Sequence, residues 1–378
     1  MLFFGTGSIV PGFAKARRGM PASGLVLPAI FFFLTLPSAA AESPRVVPGE
    51  SPDVRAEMLL APLVGRNMHP LFLALPPLPA RRSALLAAGE SEISSAVHWG
   101  NNFTMEELQS DRTTVNLELD SEALYSGIAW ARGLPGRREV HLGFDISWHF
   151  GGAMDPHISN FHHFFGFPDG SREIRSHYQC RMVVFQEDER ILDERGPLHP
   201  LLHLSGEIRQ SLVSHRPLGT GVAHLSLGIV GAQPLPVGER EHPLSSNRPS
   251  GAIRLYGGYQ RGLWTTEFST GVAAVSRPAY LTSSQFHPFI VPFDATLGRI
   301  LGQRASLVVT VSGSTSPFRL GYDRTDRHSA TVNVGTRLTL SERDVLQLSF
   351  TEEFFTFAAT DIGFHLGWNR RLPAARKR

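Results

Sequence analysis

Residues 139–149 alternate without a break. Val140, Leu142, Phe144, Ile146 and Trp148 fall on one side, and Glu139, His141, Gly143, Asp145, Ser147 and His149 on the other. Successive strand side chains point to opposite faces, so this run gives one apolar and one polar face over a length that suits a tilted membrane strand. The same period returns at 331–340, 345–351 and 362–369. It returns less regularly at 92–99, 113–120, 124–130, 177–185, 204–213, 222–230, 253–260, 263–274 and 305–312. That makes about twelve to fourteen strand candidates with boundaries good to about two residues. Short turns, as at Leu134-Pro135-Gly136, Arg261-Gly262 and 341–344, alternate with longer polar connections at 149–176, 187–202, 232–250 and 313–328. A barrel alternates its turns and loops in this way.

The N-terminus has the pattern of an export signal. Lys15, Arg17 and Arg18 precede an apolar run at 25–36, and Ala39-Ala40-Ala41 supplies a small-residue cleavage site before Glu42. The apolar run is too short for a transmembrane helix. The whole chain carries 36 basic and 34 acidic residues, and the three basic residues of the signal leave 33 against 34, a net charge of −1. No anionic partner, and no nucleic acid, is implied by that balance. The single cysteine, Cys180, excludes a disulfide framework. The domain reading is signal peptide 1–41, Pro-rich periplasmic linker 42–64, barrel 65–370 and basic tail 371–378.

Alternation alone also fits a soluble β-sandwich. The barrel is favoured because the chain is exported and because Trp99, Trp130, Trp148, Trp264 and Trp368 fall near strand ends, as interfacial girdles do. The polar faces mix Gly, Ser, Thr, His and isolated charges, as a crowded lumen would. The expectation is an all-β fold, an antiparallel transmembrane β-barrel of about 12 strands (range ~10–14), in the outer membrane of a Gram-negative bacterium. The last strand reaches Trp368 and a basic tail follows it, a departure from barrels that finish on an aromatic residue.

Two segments break the period. Residues 65–82 carry Pro70, Pro76, Pro77 and Pro79, which argue against a helix or a central strand and for an extended segment on or inside the barrel. Residues 157–172, HISNFHHFFGFPDGSR, put Ile158, Phe161 and Phe165 on one helical stripe, with Pro168-Asp169-Gly170 as a stop. A phenylalanine cluster of this size calls for burial. The expectation is a loop element folded at or in the lumen, a constriction or plug made by Phe161, His162, His163, Phe164, Phe165, Asp169 and Arg172, with an Asp169–Arg172 contact.

Three blocks resemble an uncharacterised family of proteobacterial outer-membrane proteins, catalogued as domain of unknown function 3187. They are Arg66-Asn67-Met68-His69-Pro70 with the LPPLP run after it, Asn101-Asn102-Phe103, and 161–172. The family's third block usually has Leu where Phe167 stands here. The likeness covers roughly residues 66–368 and implies an outer-membrane barrel. It implies no substrate, cofactor or catalytic residue.

The chemistry the residues themselves offer is thin. His149, His157, His162 and His163 could gather a metal, but neither a cysteine nor an H-E-x-x-H spacing accompanies them, so no metal and no cofactor is expected. His203/Ser205 and His224/Ser226 share a face at i, i+2, as a lipolytic pair would, without a neighbouring Asn to orient the histidine. His141, Asp145, His149, Glu118, Glu267 and Arg337 are expected to face the lumen, as a selectivity lining or as mutual ion pairs. The leading functional expectation is a pore or transport barrel for small or amphipathic solutes, and the alternative is a structural or binding barrel with a plugged lumen. A lipid hydrolase is the minor reading, so an enzyme is not favoured. Expected partners are outer-membrane lipids, the barrel insertion machinery and a small solute or lipid ligand.

Overall fold

The computed structural model describes residues 54–110, 113–165, 177–186, 189–237, 242–353 and 359–374. The signal peptide, Asp169 and Arg172 lie outside them, as do the side chains of Phe161, His162 and Phe165. The strands run in chain order from β1 (Ser91–Ser110), β2 (Thr113–Leu134) and β3 (Arg138–Phe150) to the short β4 (Arg181–Gln186) and β5 (Glu189–Arg195). β6 (Leu201–Leu218), β7 (Gly221–Pro236), β8 (Ser250–Arg261), β9 (Trp264–Ala274) and β10 (Phe289–Ile290) follow. β11 (Pro292–Ile300), β12 (Ala305–Ser314), β13 (Ser329–Thr339), β14 (Asp344–Glu353) and β15 (Ile362–Leu372) complete the set.

Twelve of them close into an antiparallel barrel among the described residues. The order is β1-β15-β14-β13-β12-β11-β9-β8-β7-β6-β3-β2, and β2 pairs back onto β1. Closure leaves no unpaired edge in the ring. The hairpin β4–β5 hangs from the far part of β2 through Leu117↔Val184 to Asp120↔Arg181, and β10 pairs with the end of β9. Three strands were not anticipated, among them the two-residue β10. β11 was hidden by Pro292 and Gly298, and β5 read as a charged loop.

The alternation behaves as a bilayer requires. On β3, Glu139, His141 and Asp145 are buried, whereas Leu142 and Phe144 are 55% and 47% exposed. The same inversion carries Ile128, Ile208, Ile229, Ile253, Val272 and Leu366 outward around the ring. A continuous exposed apolar band with a polar interior is the signature of a transmembrane barrel. Trp130, Trp264 and Trp368 sit close to the short-turn end, and Trp99 and Trp148 flank Leu124 further along. At the β2–β3 turn three residues, Pro135 to Arg137, join the paired Leu134 and Arg138, and Gly136 and Arg137 both take positive φ (77° and 56°).

β2 changes face as it leaves the bilayer. From Leu124 to Trp130 the even positions are the outward ones. The odd positions Leu117, Leu119 and Ala123 stay on the inner face and are buried, so the apolar side switches from outer to inner beyond the membrane. Leu117 and Leu119 join Met182, Val184, Leu192, Phe286, Phe318, Leu320 and Tyr322 in a cluster under the long loops. At the other end, β15 runs on to Leu372, past the boundary expected at residue 370.

Replacing Ile208, 60% exposed on the outward face, with Arg should cost about 2–4 kcal/mol of stability in the bilayer. Urea unfolding in liposomes checks this, and a soluble sandwich would show almost no loss at the same position.

Candidate functional site

The lumen is occupied by the chain that precedes β1. α1 (Val54–Leu59) opens this segment, α2 (Pro70–Leu73) forms its tip, and residues 74–90 return to β1. Pro70 stands in the first turn of α2, where its missing N–H costs nothing, so the proline run admits one helical turn after all. Met58, Leu59, Leu63, Met68, Leu71 and Leu73 are nearly inaccessible. Residues 54–64 are therefore part of the barrel's filling and not a periplasmic linker.

Most of this segment is neither helix nor sheet, so its backbone needs partners, and the wall supplies them. On the rising limb, the Ser306 hydroxyl donates to the Leu59 carbonyl (2.6 Å) and the Leu63 N–H donates to Thr310 Oγ1 (3.1 Å). Gln347 brackets Val64, accepting its N–H at 3.2 Å and donating to its carbonyl at 3.1 Å. The Met68 N–H donates to Thr360 Oγ1 (2.6 Å). Arg337 donates to the Pro62 carbonyl (2.6 Å) and to Gln347. Arg66 then ties the two limbs together, donating to the carbonyls of Leu73 (2.8 Å) and Leu75 (3.0 Å) while its guanidinium lies 5.1 Å from the Tyr125 ring centroid.

The returning limb meets charges. Arg254 donates to the Pro79 carbonyl (3.0 Å) and pairs with Asp294. Arg81 pairs with Glu207 (2.9 Å). Ser83 donates its N–H to Glu267 (2.9 Å), and its carbonyl accepts the Ser226 hydroxyl (3.1 Å). Arg209 donates to the Arg82 carbonyl (2.6 Å), to Ser226 (2.8 Å) and to Glu139 (3.1 Å), and Glu139 also accepts the Leu86 N–H (2.6 Å). Tyr256 lies between Arg209 and Arg254, with ring-to-guanidinium distances of 4.4 and 5.1 Å, and its hydroxyl donates to Glu207. The two limbs leave a cavity of about 120 Å³ between them, lined by Val64, Phe72, Leu75, the prolines 76, 77 and 79, Ile290 and Pro292.

The expected lining residues divide. His141, Asp145, His149 and Arg337 are buried on inward positions, and Glu267 points inward to Ser83. Glu118 is a correction. It shares the outward parity of Glu122 and Leu124 and pairs with Arg181 (3.3 Å), because β2 has already left the bilayer there.

The segment expected as the plug is also placed elsewhere. Its helix α3 (Asp155–Phe165) is held from outside the wall. Asp155 accepts from Asn101 (3.0 Å) and from the Tyr178 N–H (2.9 Å), and Met154 and Ile158 pack on Ile362 and Phe350, all at outward positions of their strands. Glu122 accepts the N–H groups of Ala153 and Met154 and the Trp99 indole. His163 is exposed and Phe164 is 81% exposed, so neither is a buried lumen anchor. The plug that is present, 54–90, gave one sequence signal, the proline run in a chain that otherwise alternates.

The His/Ser pairs form no nucleophile–base couple. Ser226 is engaged by Arg209 and Ser83, and His224 Nδ1 accepts the His215 N–H (3.4 Å).

Fold and interior together define an antiparallel transmembrane barrel of the outer-membrane type with residues 54–90 packed inside its lumen. The model of the family described as "Protein of unknown function (DUF3187)" matches residues 50–372, and the chain belongs to this family. No curated protein sequence matches it. Among solved structures, the COG4313 outer membrane channel from Pseudomonas putida F1 is similar at 11% identity and TM-score 0.46, covering 77% of this chain and 98% of that one. Outer membrane phospholipase A from Escherichia coli is similar at 8% identity and TM-score 0.37, covering 74% of this chain and 92% of that one. The P. putida toluene transporter TodX is similar at 8% identity and TM-score 0.32, covering 76% of this chain and 89% of that one. None of these likenesses carries an argument about function.

Arg209→Ala should lower stability by about 3–5 kcal/mol, because it leaves Glu139 buried without its guanidinium partner. Thermal unfolding in detergent measures the loss. Protease cleavage within 75–90 should rise in the same variant.

Proposed function

We propose that this protein is an outer-membrane transport barrel held closed by its own residues 54–90. The observation that carries the reading is the way the plug is attached. Along both limbs it is held by side-chain to backbone hydrogen bonds and ion pairs with the wall, and its large apolar cluster is confined to the tip. Each neutral hydrogen bond of this kind is worth only about 0.5–1.5 kcal/mol net, because water replaces it when it opens. A lumen-lining set of Ser, Thr, Gln, Arg and Glu is therefore equally suited to hold a chain and to hold water in its place.

Both ends of the plug lie at the short-turn end of the barrel. Leu59 meets Ser306 at the start of β12, and the Gly89 N–H donates to the Gly133 carbonyl near the end of β2 (2.9 Å). The segment can thus leave toward the side it entered from without unthreading. Small solutes are the cargo class that fits a ring of twelve strands. The outward apolar band would be covered by outer-membrane lipids, and barrel insertion machinery would receive the strand that ends at Leu372.

The second reading, a permanently plugged barrel, differs in one measurement. In planar bilayers the full chain should show no sustained current, and deletion of 54–85 should give stable single-channel steps. If the deleted form folds, as heat-modifiable electrophoretic migration reports, and is still silent, the barrel is structural and the transport reading is lost.

A further inference from the structure

The cavity of about 120 Å³ between the plug limbs has two chemically different sides. The returning limb, the plug tip and the wall beside them bring apolar groups, Phe72, Leu75, the prolines 76, 77 and 79, and Ile290. The rising limb and the inward positions of β1, β12 and β13 bring polar ones, Arg66, Asn67, His98, Ser312, Ser329 and Thr331. Ser314 ends β12, Ser329 opens β13 and Pro292 opens β11, so the cavity lies toward the long-loop end of the lumen.

Two buried side chains on the polar side have groups left over. The Arg66 side chain is 10% exposed. Its Nη2 donates to the carbonyls of Leu73 and Leu75, but Nε and Nη1 meet no hydrogen-bond acceptor among the described residues. Asp145 stands 3.9 Å from Nη1, too far for a hydrogen bond, and the same oxygen lies 3.7 Å from His203. Asp294, which lines the cavity, is held by Arg254 and by Ser269 (2.6 Å). His98 is buried, its Nδ1 meets Nδ1 of His365 at 2.5 Å, and its Nε2 has no partner. Behind it His365, Thr351 and Asn333 form a hydrogen-bonded chain that can run in either direction, so Nε2 can present an N–H. Arg66 and His98 both lie against Tyr125, 5.1 and 4.9 Å from its ring centroid. A buried guanidinium with unanswered donors is costly, and a bound anion answers them.

We propose that this cavity is a binding site for a short-chain monocarboxylate, with the carboxylate on Arg66 and His98 and the hydrocarbon chain against Phe72, Leu75 and the prolines. This rests on the transport reading and names its solute class. The single charge follows from the single guanidinium, since a second anionic group would meet the apolar side and lose its hydration without compensation. The length follows from the volume. An apolar cavity of about 150 Å³ takes up benzene, so this one has room for about five or six non-hydrogen atoms. Butyrate is of that size. The ligand would touch both limbs at once, because Arg66 belongs to the rising limb and Leu75 and the prolines to the returning one. It is reached from the long-loop end, where Ser312 and Ser314 are half-buried.

The test compares butyrate with butyramide, its uncharged isostere, on the full chain in lipid nanodiscs. Saturation-transfer NMR is the readout, and empty nanodiscs give the background of lipid partitioning. The natural chain should bind butyrate saturably and about tenfold more tightly than butyramide, the advantage of a charge-assisted pair over a neutral one. Arg66→Gln should abolish that preference. If Arg66 only holds the plug together, the variant weakens both probes alike and keeps the preference, which overturns the site. Ser312→Leu adds bulk from the wall without touching the bonds of Arg66, and it should weaken both probes together. Unchanged binding in that variant puts the probes elsewhere and overturns the site, and this variant decides if Arg66→Gln fails to fold. No saturable binding, or equal binding of the two probes by the natural chain, leaves water as the occupant and also overturns it. The conductance of the plug-deleted form is scored separately. Current there without butyrate binding to the full chain keeps the transport reading and removes the site. Silence there alongside selective butyrate binding keeps the site and removes the lumen as a passage.

Discussion

A peptide chain that lies inside a closed barrel without joining its sheet must find a partner for each buried N–H and C=O, and the composition of this lumen follows from that requirement. Residues 54–90 could not be a strand, because the ring is already closed. Their proline run prevents a long helix. What remains is an extended hairpin with single helical turns, and the wall answers it with Ser, Thr, Gln and one arginine, Arg337, on the rising side and with several Arg and Glu on the returning side. Ser306, Thr310 and Gln347 are thus read best as backbone partners of the plug. Arg209 combines that role with charge pairing.

The same wall faces lipid, and this fixes where the alternation must reverse. Within the bilayer the apolar residues of β2 point outward. Beyond it, solvent replaces lipid and the tip of the plug offers an apolar surface, so Leu117 and Leu119 turn in toward Leu71, Phe72 and Leu75. Each of these burials contributes about 1.5–3 kcal/mol relative to exposure. The plug is in consequence anchored by apolar contact at its tip and by exchangeable polar contact along its length. That gradient is the physical basis for a closed state that can be opened from the short-turn end.

Much of the ring was legible in the sequence, because a strand with lipid on one side and a polar lumen on the other must alternate, as 139–149 does. The failures are equally physical. β11 carries Pro292 and Gly298, residues that weaken a strand pattern but are tolerated in a wall at a strand's first residue and at a close approach. Gly298 is one such approach, since a Cβ there would come within 2.9 Å of Thr265. The 113–134 stretch looked like two strands because its apolar parity flips, and reading the polar parity as the lumen side misplaced Glu118. The phenylalanine-rich segment was assigned to the lumen on the argument that aromatics need burial. Its anchors Met154, Ile158 and Asp155 are instead taken up by the outer surface of the wall above the bilayer. The true plug lacked any hydrophobic period to announce it, since its stability comes from partners distant in sequence, such as Thr310 for Leu63 and Arg254 for Pro79.

The central claim is that residues 54–90 are a fixed, hydrogen-bonded filling of the lumen. Amide hydrogen exchange on the full chain in lipid bilayers tests it most directly. The account predicts that the amides of Leu63, Val64, Met68, Ser83 and Leu86, which donate to wall side chains, exchange orders of magnitude more slowly than an unstructured chain. Exchange of those five amides at unstructured-chain rates, with the strand amides still protected, would contradict it.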